Sequence, residues 1–105
     1  MTERDGPSYD LLEVQYLVRR GRVATTVEVQ RTMTRDELSV ADLIATLLRL
    51  TEVDFHKSML SERDGRSMLD VYRPFLVKAR IYLKFKLTPD RDRVLVLSFK
   101  KDTSR

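Results

Sequence analysis

Three short stretches of this 105-residue chain hold residue types that can handle a phosphate. VDFHKSM, from Val53 to Met59, contains the only histidine, His56, directly beside Lys57. RIYLKFKL, from Arg80 to Leu87, alternates: Ile81, Leu83, Phe85 and Leu87 share one face of a strand, and Arg80, Tyr82, Lys84 and Lys86 the other. RVLVLSFKK supplies Ser98 and Lys100. Fixed cations offset the charge of a phosphate, and a tyrosine hydroxyl can orient an oxygen or exchange a proton. Histidine has the unperturbed pKa best suited to acid–base work near neutrality.

Pairing the last two stretches as a hairpin gathers these groups. With Thr88 to Asp92 as the loop, Leu87 faces Arg93, Phe85 faces Leu95, Leu83 faces Leu97 and Ile81 faces Phe99. The apolar faces then match, which is what fixes a register. On the other face Tyr82 meets Ser98, Lys84 meets Val96, Arg80 meets Lys100, and Tyr82 and Lys100 are diagonal neighbours. A slip of two residues keeps parity and therefore the face. The result is either a phosphate-handling surface or the ordinary solvent face of an antiparallel sheet, and the pattern alone does not choose.

The elements that must position this hairpin are readable in outline. Ser8 is a candidate N-cap for a helix from Tyr9 to Arg20, striped by Leu11, Val14 and Val18 and closed by Gly21. RVATTVEVQ is ambiguous; its alternating β-branched residues argue for a strand near Arg22 to Thr25. Thr34 and Glu37 have capping-box spacing. Ser39 opens a helix from Val40 to about Thr51, with Leu43, Leu47 and Leu50 as its stripe. Asp64-Gly65 marks a hairpin tip. Strands follow at about Asp70 to Val77, Arg80 to Leu87 and Arg93 to Lys101, with Pro74 requiring an edge or a bulge.

Composition bounds the class. Hydrophobic residues at 42% against 34% charged residues suit a folded chain rather than a disordered one. The length suggests one domain over residues 1–105, with 1–8 and 102–105 flexible. No apolar run is long enough for a membrane helix, and the N-terminus lacks the apolar core of a secretory signal. Without cysteine, disulfides and thiolate metal sites are excluded, and a cytoplasmic home is the default. The net charge of +4 permits an acidic partner.

DFHKSM, DVYRPFLV, IYLKFKL and VLVLSFKK, in this order from Asp54 to Lys100, resemble the motility quorum-sensing regulator (MqsR) toxin family, which shows DFYKSM, DVYRP, VYLK and VSFK. The N-terminal half matches more loosely, through Gly21, Thr25-Thr26 and the DEL of Asp36 to Leu38. The resemblance implies a RelE-like α+β fold, a curved antiparallel sheet with N-terminal helices packed on one face. It implies a bacterial mRNA interferase, a metal-independent endoribonuclease with no cofactor. A cognate antitoxin is implied too, which in this family can carry zinc and bind DNA. The family's functional lysine, strand tyrosine and closing lysine fall on Lys57, Tyr82 and Lys100. Two positions depart: the family has glutamine where Leu69 stands, and tyrosine where His56 stands.

Metal-free RNA cleavage uses the ribose 2′-OH as nucleophile, aligned with the departing 5′ oxygen. Extra charge on the phosphate must be stabilised, and protons moved. Lys57 and Lys100 suit the charge, Tyr82 the 2′-OH or a proton, with neighbouring cations expected to help it act as a base. Arg73, Arg80, Lys84, Ser98 and His56 are expected to bind substrate. His56 is expected to be a bystander or an RNA contact, since strand neighbours point to opposite faces. Leu69 keeps open a catalytically impaired RNA-binding member of the fold, and a basic face docking an acidic protein is a third possibility. The segment Lys57 to Ser61 is a possible open edge for an antitoxin strand.

Overall fold

The computed structural model describes residues 3–76 and 79–103. Helix α1 spans Leu11–Arg19 and is capped by Asp10, whose carboxylate accepts from the Leu12 N–H. Ser8, the expected cap, serves elsewhere. Its N–H and that of Tyr9 donate to the carboxylate of Asp70 in the sheet, and its hydroxyl lies 2.6 Å from that of Ser58. Gly21 closes the helix at φ +73°, a conformation that costs glycine nothing.

Strand β2 is only Val23–Thr25. Thr26 then caps helix α2, Val27–Arg35, by accepting from the Val29 N–H. The alternating valines of RVATTVEVQ thus straddle a strand and a helix. Val27 is exposed, while Val29 and Met33, four apart, are buried. The capping-box spacing of Thr34 and Glu37 caps nothing. Thr34 bonds back to the Gln30 carbonyl inside α2, and Glu37 sits at φ 58° in the turn that follows. The true capping box is Ser39 with Asp42, opening α3 at Val40–Arg49. Buried Gln15 of α1 donates to the carbonyls of Leu47, Leu48 and Leu50, supplying the C-terminal end of α3 with a partner.

After a turn of 3-10 helix, Glu52–Asp54, strands β3 (Phe55–Leu60) and β4 (Met68–Tyr72) form a hairpin. Its connection runs over 61–67, wider than a two-residue turn. The Asp64 carboxylate accepts from the N–H groups of Arg66 and Ser67 and the Ser67 hydroxyl, and Gly65 takes a positive φ. The strand expected to run through Pro74 breaks there. β4 ends at Tyr72, and β5, Phe75–Leu76, folds onto the start of β6, Ala79–Leu87. Val77, the expected end, lies outside the described residues. β7, Val94–Lys101, completes the second hairpin.

The strands run β1-β3-β4-β6-β7-β2, where β1 is Glu3–Arg4. Neighbours are antiparallel except for β2, which runs parallel to β7, so the sheet is mixed. β1 pairs with Ser58 and Met59, so the stretch expected to be an open edge is covered there. One face carries the core. Tyr72, Ile81, Leu83, Phe85, Val94, Val96 and Phe99 pack with α1, α2 and α3 through Val14, Leu17, Val29, Leu43 and Leu47. Tyr72 stacks on Phe85 and meets Phe55 edge to face.

The β6–β7 register corrects the expected one. Leu87 pairs with Val94 and Phe85 with Val96, but Lys84 pairs with Ser98 and Tyr82 with Lys100. Leu97 is the extra residue of a bulge between the two halves. Val94 and Val96, both 0% exposed, therefore take the core positions assigned from sequence to Leu95 and Leu97. Those two leucines line a cleft on the opposite side.

Candidate nucleic-acid interface

The face away from the core is built in rows across the sheet. Lys57 of β3 pairs with Val71 of β4, which pairs with Lys84 of β6, which pairs with Ser98 of β7. Paired residues share a face, so Lys57, Lys84 and Ser98 form one line. Beside it, Tyr82 is directly opposite Lys100. The Lys100 ammonium lies 5.5 Å from the centre of the Tyr82 ring, within cation–π range. Tyr82, Lys84, Ser98 and Lys100 line a cleft of about 690 Å³.

The local electrostatics follow from half-burial among cations. The Lys84 pKa is lowered, first by burial and then by the neighbouring Lys100 charge. The Glu62 and Glu28 carboxylates pull it back up, and Lys57 pushes it further down. The Tyr82 pKa is raised, because burial outweighs the opposing pull of Lys57 and Arg73, and Asp102 adds to the rise. The expectation that cations would make Tyr82 a better base is therefore reversed in net effect. Tyr82 is held in its neutral, hydrogen-donating form. Lys84 is the group moved toward a base.

Arg73 and Arg80 stand beside the rows rather than in them. Arg73 Nε donates to Asp102 at 2.6 Å. Arg80 donates to the Arg73 carbonyl at 2.7 Å and lies 4.1 Å over the exposed ring of Phe75. His56 is exposed at a second bulge. Phe55 pairs with Tyr72 and Lys57 with Val71, leaving His56 as the inserted residue, so simple strand alternation does not set its direction.

One feature was not foreseen from the sequence. Next to the lysine row, Met59, Leu69, Leu95 and Leu97 floor a second cleft of about 560 Å³, lined also by the cations Arg63, Lys84 and Lys86. Glu28 reaches it from α2, and Glu62 from the 61–67 loop. The exchange of Leu95 and Leu97 for the valines in the core was its hidden signal. Among the described residues no cluster of three or more histidine, aspartate or glutamate side chains is placed to hold a metal ion, and no helix is long and apolar enough to cross a membrane.

The family model described as "Motility quorum-sensing regulator, toxin of MqsA" matches residues 6–101. This chain belongs to the MqsR toxin family. It is 35% identical over 99 residues to the mRNA interferase toxin MqsR of Escherichia coli (strain K12), a match covering 94% of this chain and 98% of the relative. The MqsR motifs quoted from the sequence now have places. The lysine of DFHKSM and the closing lysine of VSFK-like LSFK arrive from β3 and β7 on either side of the β6 tyrosine. Leu69, where the MqsR pattern has glutamine, is 5% exposed and pairs with Met59 one row from Lys57.

Proposed function

We propose that this MqsR-family toxin is a metal-independent endoribonuclease that cuts single-stranded mRNA by attack of the ribose 2′-OH. The observation that carries the reading is the convergence of Lys57, Lys84 and Lys100 around a half-buried Tyr82 on one sheet face. The relative named as an mRNA interferase toxin supports it. In the proposed reaction the 2′ oxygen bonds to phosphorus as the bond to the 5′ oxygen breaks. The products are a 2′,3′-cyclic phosphate and a 5′-OH. Lys57 and Lys100 stabilise the charge that builds on the phosphate oxygens. Tyr82, kept protonated, donates a hydrogen bond or proton toward the departing oxygen. Lys84, with its lowered pKa, is the acceptor for the 2′-OH proton. Ser98 and Arg73 orient the strand, and Arg80 and His56 contact it at the margins.

The proposal extends to regulation. A cognate antitoxin neutralises the enzyme in the bacterial cytoplasm, and that partner comes from a family whose members can bind zinc and DNA. A second reading, an RNA-binding member with impaired catalysis, is favoured by Leu69 in the glutamine position.

The test is incubation of the partner-free protein with a long single-stranded RNA in EDTA, with the new ends mapped. Discrete cuts bearing 5′-OH, lost in Lys57→Ala, support the enzyme. A folded protein that binds the RNA without cutting it supports the second reading.

A further inference from the structure

The cleft floored by Met59, Leu69, Leu95 and Leu97 has no task in the bond-breaking chemistry. Its volume of about 560 Å³ falls within the range of small-ligand sites. It is continuous with the lysine row, since Lys84 lines both this cleft and the one beside Tyr82. A strand whose phosphate rests on that row must put a neighbouring base close by.

The walls say what kind of group enters. The apolar floor and the carboxylates of Glu28, Glu62 and Asp64 are unfavourable to a phosphate, while the cations that share the lining, Arg63, Lys84 and Lys86, suit the backbone phosphates that flank a base. The Asp64 oxygens are occupied by its own loop, and Lys86 is tied there through Ser67 Oγ at 3.2 Å. Glu28 and Glu62 also line the cleft, both act on the charge of Lys84, and neither accepts a hydrogen bond among the described residues, which leaves their carboxylates available to a ligand there. A nucleobase matches both halves of this lining. Its flat face is covered by aliphatic side chains, and its edge meets the glutamates.

A carboxylate only accepts hydrogen bonds. Cytosine, adenine and guanine each offer an exocyclic amino group to it. Uracil offers one N–H flanked by two carbonyl oxygens, which a carboxylate repels. Resting on the ribonuclease reading of the adjoining lysine row, we propose that this cleft is a base-specificity pocket. It takes an amino-bearing nucleobase next to the scissile phosphate and rejects uracil through Glu62 and Glu28.

The experiment has two arms. In the first, a random-sequence RNA is cut by the full chain, and the 5′-OH ends are sequenced. Cytosine is expected to exceed uracil about tenfold at one position beside the cut, the discrimination of a good hydrogen-bonded base contact. In the Glu28→Gln/Glu62→Gln variant, whose amides can donate to the uracil carbonyl, the ratio falls toward parity. The ratio is read within one reaction, so a change in overall rate cancels. Base usage that is even beside the cut, or a bias that the variant retains, overturns the proposal.

The second arm uses short RNAs made uncleavable by one 2′-deoxynucleotide, with cytosine or uracil on either side of it, and reads binding by fluorescence anisotropy. If no cutting occurs in the first arm, the ribonuclease reading fails by itself, and this arm still decides the pocket. A cytosine preference lost in the folded variant upholds it; equal affinities overturn it.

Discussion

Lys100 of β7 stands directly opposite Tyr82 of β6, its ammonium 5.5 Å from the ring centre, while burial and Asp102 hold the phenol protonated. The pair is thus a cation beside a neutral donor, not a cation beside a phenolate. Tyr82→Phe keeps the ring and removes the donor. Cleavage is expected to fall by about 10²-fold or more, the usual size of a lost acid–base contribution, with the circular dichroism spectrum unchanged. A variant within twofold of the parent removes Tyr82 from the reaction.

The pH profile separates Tyr82 from Lys84. The Lys84 pKa lies below the ordinary 10.5, so the neutral amine becomes available at lower pH than for an exposed lysine. Cleavage should rise with pH through the Lys84 titration and fall only once Tyr82, with its pKa above 10.0, loses its proton. Lys84→Arg, charged throughout, is expected to abolish the rising limb. A rising limb of unchanged position in that variant assigns the base elsewhere.

Asp102 tunes the tyrosine. Its side chain is buried against Arg73, and its charge raises the Tyr82 pKa. Removing that charge in Asp102→Asn should move the Tyr82 titration downward, measured by NMR of the labelled ring carbon. An upward shift or no shift contradicts the arrangement.

The lysines should appear in the salt dependence of RNA binding. Each phosphate neutralised on a single strand contributes a slope of about 0.7 in log affinity against log salt. Lys57→Ala and Lys100→Ala are each expected to lower the slope by about that amount, and His56→Ala to leave it unchanged. Lys57→Ala should also lose cleavage that His56→Ala retains.

Stability rests on residues far from the rows. Gln15 donates to the end of α3, and Gln15→Leu leaves those buried carbonyls unmet, at a cost of about 1–3 kcal/mol. Thermal denaturation reads this as a lower Tm, with cleavage at moderate temperature preserved.

The shared face of the candidate site was legible in the sequence because strand parity survives errors of two. Tyr82, Lys84, Ser98 and Lys100 were placed on one face from a register that proved two residues off in that half of the hairpin. The helix opened by Ser39 was equally clear, since its cap and apolar stripe agree. What failed was period under ambiguity. The alternation of Val23, Thr25, Val27 and Val29 was read as strand only near Arg22 to Thr25, where β2 lies, but the helix that Thr26 caps through the last two was not read. The bulge at Leu97 leaves no local mark, because leucine suits either face and only the competing valines, once packed, decide. Leu95, Leu97, Glu28 and the cleft they make were therefore out of reach. Arg73 and Arg80 were identified as cations, but their partners, Asp102 and Phe75, come from elements whose meeting no spacing rule announces.

The Leu97 bulge also separates two histories. Toward the turn, β7 answers to the core through Val94 and Val96; beyond the bulge it answers to the candidate RNA face through Ser98 and Lys100. A slack residue between them lets the turn-proximal half repack, or the loop before it change length, without rotating Lys100 away from Tyr82. The strand works as a shaft with a coupling in its middle. Variation at the turn is absorbed before it reaches the working end.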